Sequence, residues 1–179
     1  MNTRLMVLTG IVVAAALSRL VPHPPNLTPI AAMALFGGAY VTNRKLAYVL
    51  PLGAMLLSDV LLGYTVYGGS VVVYLCILAT AVMGRLIRNR RSVLKVGVVT
   101  LASSVMFYVV TNFAVWASGS LYPMSWAGLA TCYAAALPFF RNSLLGDMGF
   151  AAVLFGGFAL LETYFTSLQE NREVSFASR

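Results

Sequence analysis

Apolar residues occur along this chain in long runs, which short polar or proline-containing segments separate. An α-helix rises about 1.5 Å per residue, so about 20 apolar residues suffice to cross a bilayer core about 30 Å thick. The runs predict six membrane-spanning helices, at residues 5–20, 29–42, 46–63, 70–87, 96–117 and 143–165. The second run covers only about 21 Å at this rise. We therefore expect the second span to be short, or to be broken at Gly37-Gly38.

A further apolar stretch, residues 124–137, lies between Pro123 and Pro138. Proline interrupts a helix interior and disfavours helix at the residue before it, so the two prolines predict a separate helix here. This stretch is too short to span and is typical of an interfacial or re-entrant helix. The predicted fold class is an all-α integral membrane protein, a bundle of six transmembrane helices with one additional short interfacial helix. Residues 1–167 form this single domain, and residues 168–179 form a polar cytoplasmic tail.

The composition excludes a water-soluble globular protein. Of 179 residues, 60% are hydrophobic and 9% are charged, and the mean hydropathy is +0.85. Soluble chains carry about 25% charged residues. The net charge of +7 could indicate nucleic-acid binding, but five of the basic residues lie within residues 85–95, at the end of the fourth span and in the short linker after it. Membrane topology explains a basic linker, and no soluble domain could present a basic patch, so we expect no nucleic-acid partner.

The lysines and arginines are divided unequally between the two sides of the predicted bundle. With the N-terminus inside, the inner side receives Arg4, Arg44, Lys45, Arg85, Arg88, Arg90, Arg91, Lys95, Arg172 and Arg179. The outer side keeps Arg19 and Arg141. Positive residues concentrate on the cytoplasmic side, so we predict a multi-pass protein of the bacterial inner membrane with both termini in the cytoplasm. The alternative is that residues 1–18 are a signal peptide with a cleavage site at Ala14-Ala15-Ala16.

Polar side chains gather near the outer side of the predicted bundle. At the helical rise, Asp59 lies about 20 Å along the third span and Asp147 about 6 Å past the start of the sixth. We expect the ligand contacts of this layer to be Arg19, His23, Asn26, Asp59, Asn112, Trp116, Arg141, Asn142 and Asp147. A charge near the bilayer centre costs about 2.5–3.5 kcal/mol, so such residues are functional candidates by default. The alternative is structural, with Asp59 and Asp147 pairing across helices with Arg19 and Arg141.

The sequence shows no pattern typical of an enzyme. His23 is the only histidine, and neither a Gly-x-Ser-x-Gly elbow nor a phosphate-binding loop occurs. We therefore expect no enzymatic activity, no cofactor and no resident metal. Cys76 is expected to be a small buried apolar residue, with a soft-metal ligand as the alternative.

Small residues recur every four positions on the first span, at Gly10, Ala14 and Ser18. Such a smooth ridge lets another helix approach closely inside a membrane. The ridge predicts close helix packing, either within this chain or against a second membrane protein.

Several strings of residues resemble a widespread family of small bacterial membrane proteins of unknown function. The strings are Ser18–Asn26 (SRLVPHPPN), Thr28–Ala32 (TPIAA), Thr111–Phe113 (TNF), and Pro138–Asn142 (PFFRN) through Leu145–Asp147 (LGD). The resemblance covers nearly the whole chain, and that family is similar to the substrate-binding S components of energy-coupling factor vitamin transporters. It implies six helices and a ligand cup near the outer face, covered by the first extracellular loop. It also implies that small residues on the first helix dock to a coupling membrane subunit that works with ATPases.

The functional hypothesis is a membrane uptake protein that binds a vitamin-like or other small organic nutrient. Its predicted outward-facing cup consists of residues 19–28, Asp59, Asn112, Trp116, Arg141 and Asp147. Similarity to a solitary cobalamin transporter of this fold type implies Cys76 as a cobalt ligand if the substrate is cobalamin. Without a nucleotide-binding loop or a chain of titratable groups, uptake would depend on a partner or run passively. The rival hypothesis is a structural or assembly membrane protein without a ligand.

Overall fold

Helices make up the regular structure of the computed structural model, which describes residues 3–64 and 68–169. The helices are α1 (Thr3–Leu17), α2 (Ile30–Tyr40), α3 (Arg44–Leu61), α4 (Gly68–Leu86), α5 (Val93–Ala117), α6 (Trp126–Ala151) and α7 (Gly157–Tyr164). Short 3-10 turns follow α1 at Ser18–Leu20 and α7 at Thr166–Leu168, and a π-helical segment, Ala152–Gly156, joins α6 to α7. No strand occurs in the described part of the chain, so the all-α fold class is confirmed.

Several of the helices match the length and composition of membrane spans. Among the described residues, four stretches are long and apolar enough to cross a membrane: Thr3–Leu20, Gly69–Leu86, Val93–Ala117 and Trp126–Tyr164. The helix α2 is a shorter apolar helix, and α3 carries Arg44, Lys45 and Asp59. These are the helices of a multi-pass membrane protein, and the count of six spans stays a prediction. The predicted polar tail, with Arg172 and Arg179, lies outside the described residues from residue 170 onward.

The expectation of a separate interfacial helix at residues 124–137 is wrong. The helix α6 starts at Trp126, continues through Pro138 and passes through the π-helical segment into α7. The whole rod contains 39 residues, which at the helical rise is about 58 Å. Proline removes one backbone hydrogen bond, but apolar helices tolerate this where neighbouring helices hold the rod together. Here α5 does so, because the hydroxyl of Tyr108 donates to the carbonyl of Tyr133 at 2.7 Å.

The short helix α2 lies at the centre of the bundle and is unbroken at Gly37-Gly38. Nine of its 11 residues are buried. It crosses α4 so closely that a Cβ atom on Gly38 would lie 2.0 Å from the carbonyl oxygen of Ala81. A Cβ atom on Gly84 would lie 2.2 Å from the carbonyl oxygen of Leu35. The two glycines therefore permit a contact between the α2 and α4 backbones that no other residue would allow.

The basic linker after α4 stabilises the C-terminal end of α2. Arg85 and Arg88 donate to the carbonyl of Val41 at 2.8 and 3.0 Å, and Arg91 donates to the carbonyl of Ala39 at 3.0 Å. Cations near a helix C-terminus complement its dipole. Burial, together with the neighbouring arginines, lowers the pKa of Arg88 to about 10, so this guanidinium stays charged at neutral pH. The linker thus has a structural role in addition to its predicted role in topology.

The N-terminal end of α1 lies at this same basic end of the bundle. Arg4 is buried and forms an ion pair with Glu162 of α7 at 2.6 Å. Its guanidinium lies 6.0 Å from the ring of Tyr40, and that of Arg91 lies 4.2 Å from the same ring. The structure therefore gathers cations from α1 and the linker at one end, as the sequence predicted. The orientation of that end towards the cytoplasm stays a prediction.

We predict that Gly38→Ala and Gly84→Ala each lower the thermal unfolding midpoint of the purified protein. Each added methyl group meets backbone rather than a flexible side chain, and overpacking of this kind costs about 1–3 kcal/mol. The matched control is Gly97→Ala in α5, where nothing lies within 4 Å of the added Cβ. Midpoints measured in detergent should be unchanged or higher for the control. Equal midpoints for all three variants would contradict the close crossing of α2 and α4.

Candidate functional site

A cavity of about 920 Å³ lies at the end of the bundle where α1 finishes, which we call the Arg19 end. Its wall comes from the loop after α1, the start of α2, the end of α3, one face of α4, and parts of α5 and α6. Five of the predicted ligand residues line it: Arg19, His23, Asn26, Asp59 and Asp147. The structure thus brings together residues that lie as far apart in the chain as α1 and α6.

The centre of the cavity wall is a buried ion pair. Arg19 lies in the 3-10 turn that extends α1, and its Nη1 donates to Oδ1 of Asp59 on α3 at 2.8 Å. The same nitrogen contacts Ser58 Oγ and Met55 Sδ. The hydroxyl of Tyr74 on α4 donates to Oδ2 of Asp59 at 2.8 Å. The predicted pairing of Asp59 with Arg19 across helices is therefore present, and both carboxylate oxygens of Asp59 are bonded.

The second buried acid, Asp147, does not pair as the structural alternative proposed. Its Oδ2 accepts a hydrogen bond from the hydroxyl of Ser104 at 2.7 Å, and the residue is 5% exposed. Arg141 is exposed and, within residues 3–64 and 68–169, forms no ion pair with Asp147. The predicted distance of Asp147 from the start of its helix is also wrong. The helix α6 starts at Trp126, and Asp147 lies about 31 Å from that start at the helical rise.

The proline-rich loop after α1 covers part of the cavity and is fastened to α6. The side-chain amide of Asn142 donates to the carbonyl of Pro25 at 3.0 Å. Asn26 has a φ of 63°, a left-handed conformation that asparagine adopts more readily than most residues. At Gly146 a Cβ atom would lie 3.3 Å from the amide nitrogen of Thr28, so the loop passes close to the helix. Asn142 therefore positions the loop and does not itself line the cavity.

The remaining predicted residues lie away from the cavity. Trp116 donates from Nε1 to the carbonyl of Pro123 at 3.0 Å and braces the loop between α5 and α6. Asn112 lines a smaller cavity of about 120 Å³ that shares Asn26, Phe107 and Ser143 with the main one. Cys76 is 3% exposed and does not line the main cavity, because the face of α4 that carries Tyr74 and Ile77 points there instead. Trp116, Arg141 and Asn112 therefore do not line the cavity that contains Arg19 and Asp59, and neither does Cys76. Contact of these residues with a ligand stays a prediction.

Family membership follows from the length of a single match. A family model, described as a family of unknown function (DUF6580), matches residues 1–168. The chain belongs to this family. The match includes every residue that lines the 920 Å³ cavity of the DUF6580 chain. No curated protein and no solved structure matches the chain.

Sequence reasoning missed the hydroxyl groups of the DUF6580 cavity. Ser70, Tyr74 and Thr80 line the cavity from α4, and Ser143 lines it from α6. The signal was available for α4, because residues 70, 74, 77 and 80 are spaced to share one helix face. No such signal marks Ser104, whose bond to Asp147 depends on how α5 packs against α6. Among the described residues, no cluster of three or more His, Cys, Asp or Glu side chains could hold a metal ion.

We predict that Arg19→Met lowers the free energy of unfolding by about 3–5 kcal/mol, because it leaves the buried Asp59 carboxylate without its counterion. The double variant Arg19→Met with Asp59→Asn should recover most of this loss, since it removes both charges. Arg141→Met is the matched control and should change stability by about 0.5 kcal/mol or less, because Arg141 is exposed. Equilibrium unfolding in mixed micelles provides the measurement. A double variant no more stable than Arg19→Met would show that the pair does not act as a unit.

Proposed function

We propose that this protein captures a vitamin-like or other small organic nutrient in the cavity at the Arg19 end and takes part in its uptake across the cell membrane. The observation that carries the proposal is the cavity itself. Its volume of about 920 Å³ lies in the range of small-molecule sites, which is about 300–1,000 Å³. Its wall combines apolar residues with a few fixed polar groups, the arrangement that orients an organic ligand.

The resemblance of the sequence strings to S components of energy-coupling factor transporters agrees with this proposal. That resemblance implies that the loop after the first helix covers the ligand cup, and here residues from Val21 to Thr28 contribute to the cavity wall. The small-residue ridge also faces away from the bundle, since Gly10 and Ala14 are exposed. Nothing lies within 4 Å of a Cβ atom built on Gly10. We propose that this ridge docks to a coupling membrane subunit with ATPases, which would supply the energy for uptake.

The rival function is a structural or assembly membrane protein in which the polar layer only holds helices together. The hydrogen bonds of Asp59 favour this rival, because both of its carboxylate oxygens already accept hydrogen bonds from other helices, as in a purely structural contact. The position of Cys76 outside the cavity wall gives no reason to prefer cobalamin among the substrates. The two functions differ in whether the purified protein holds a small molecule.

We predict that native mass spectrometry of the gently purified protein detects a copurified small molecule, and that Ala31→Trp abolishes it. Ala31 lines the cavity, so an indole there fills the space a ligand needs. Ala14→Trp is the matched control on the exposed ridge, and it should keep the ligand. In a strain that depends on uptake of the identified nutrient, both variants should fail to restore growth, the first through lost binding and the second through lost docking.

The rival function predicts a different pattern. If neither the wild type nor the ridge variant carries a small molecule under any gentle purification, the uptake function is wrong. If Ala14→Trp binds and still supports growth, the partner-dependent mechanism is wrong and solitary, passive transport replaces it.

A further inference from the structure

The charges in the cavity wall do not cancel when Asp147 is ionised. Among the described residues that line the cavity, the Lys, Arg, Asp and Glu side chains are those of Arg19, Asp59 and Asp147. Arg19 and Asp59 neutralise one another at 2.8 Å. With His23 neutral and Asp147 ionised, this part of the wall carries one net negative charge, on Asp147.

The carboxylate of the ion pair has little capacity to bind a charged ligand. Asp59 already accepts from Arg19 on one oxygen and from Tyr74 on the other. The Arg19 guanidinium has its counterion in place, and its Nη1 also contacts Ser58 and Met55. An anionic ligand would therefore meet an arginine that already has a counterion and, when Asp147 is ionised, an uncompensated carboxylate. With Asp147 ionised, the cavity favours a cation over an anion.

Asp147 differs from Asp59 in its hydrogen bonds and in its lack of a counterion among the residues that the structure describes. It is 5% exposed, and within the described residues its one hydrogen bond comes from Ser104, reaches Oδ2 and brings no positive charge. No ion pair to Asp147 occurs in the described part of the chain. A carboxylate between apolar helices is costly unless a cation faces it. Since Asp147 lines the cavity, a ligand is the natural source of that cation.

The cavity wall suits an organic cation better than a bare metal ion. Phe107 lies one helical turn from Ser104 and, like Asp147, lines the cavity, and Ser143 lies one turn before Asp147 on α6. Tyr64 and Tyr74 add aromatic surface to the wall. Aromatic faces attract ammonium groups and other organic cations. The single carboxylate of Asp147 offers too few oxygen ligands for calcium or magnesium.

We propose that the captured nutrient is a cation, with a protonated amine or a quaternary nitrogen that lies against Asp147. This inference rests on the proposed uptake function and specifies the substrate class of the same cavity. A neutral or anionic nutrient would leave an ionised Asp147 buried without a counterion in the bound state.

The test measures thermal stabilisation of the purified full-length protein in detergent at neutral pH by matched probes. The cationic probes are thiamine, choline and pyridoxamine. The neutral and anionic probes are 3,3-dimethylbutan-1-ol, pyridoxine, riboflavin, biotin and pantothenate. Choline has a charged quaternary nitrogen where 3,3-dimethylbutan-1-ol has a neutral carbon. Pyridoxamine has an amine where pyridoxine has a hydroxyl group. We expect only cations to raise the unfolding midpoint.

Two variants separate a ligand contact from a structural role. Asp147→Asn should weaken cation binding by about thirtyfold or more, the lower bound for removing one partner of a buried charge pair. The same change should leave the midpoint of the empty protein equal or higher, because it removes a buried charge that has no counterion. A structural role would lower that midpoint instead. Ser104→Ala keeps the charge and should retain the preference for cations.

Each outcome of these measurements either supports or overturns the cation inference. Stabilisation by neutral or anionic probes alone overturns the cation inference and leaves the uptake function standing. If no probe raises the unfolding midpoint, the charge of the copurified molecule is the test instead. A copurified molecule that is not cationic overturns the inference. No probe effect and no copurified molecule overturn both the inference and the uptake function. If Asp147→Asn does not fold, the charge of the compounds that stabilise the wild type decides alone.

Discussion

The hydrocarbon core of a membrane offers no solvent for a charge, and the arrangement of this bundle follows from that constraint. Arg19 and Asp59 come from different helices and meet at 2.8 Å, with Tyr74 from a third helix bonded to the same carboxylate. This contact joins α1, α3 and α4 at one level. It also fixes the wall against which the proline-rich loop and α6 enclose the cavity. Removing one partner would leave a buried charge without its counterion.

The opposite end of the bundle satisfies the same constraint with backbone acceptors. The helix α2 ends inside the protein, where its last carbonyls need donors. Arg85 supplies a donor from the last turn of α4, and Arg88 and Arg91 supply donors from the linker after it. Glycine contacts between α2 and α4 bring that linker within reach. A basic linker that membrane topology alone could explain therefore also completes the central helix.

The sequence was sufficient to predict the helical class, the short second helix and the place of Asp59 near the end of α3. These features depend on the lengths of apolar runs and the positions of prolines, which can be read from short stretches of sequence. It was not sufficient for α6. Pro138 signals a break in isolation, and only the packing of α5 against α6 overrides that signal. Because of this error, the sequence interpretation placed Asp147 near the start of a span and Arg141 just before it, as a candidate partner. In the structure, both residues lie in the interior of one long helix. Asn112 and Trp116 lie in the last turns of α5, as predicted, but neither lines the main cavity, because apolar run length does not report which way a helix face points.

The central claim is that the Arg19 end, with its cavity, faces the outside of the cell while the basic linker faces the cytoplasm. Single cysteines at His23 and at Arg90 test it directly, since both positions are exposed and the native Cys76 and Cys132 are 3% and 2% exposed. Intact cells are treated with a membrane-impermeant maleimide before and after permeabilisation. The account predicts that His23→Cys reacts in intact cells and Arg90→Cys only after permeabilisation. The reverse pattern would contradict the orientation and, with it, a cavity that captures nutrients from outside.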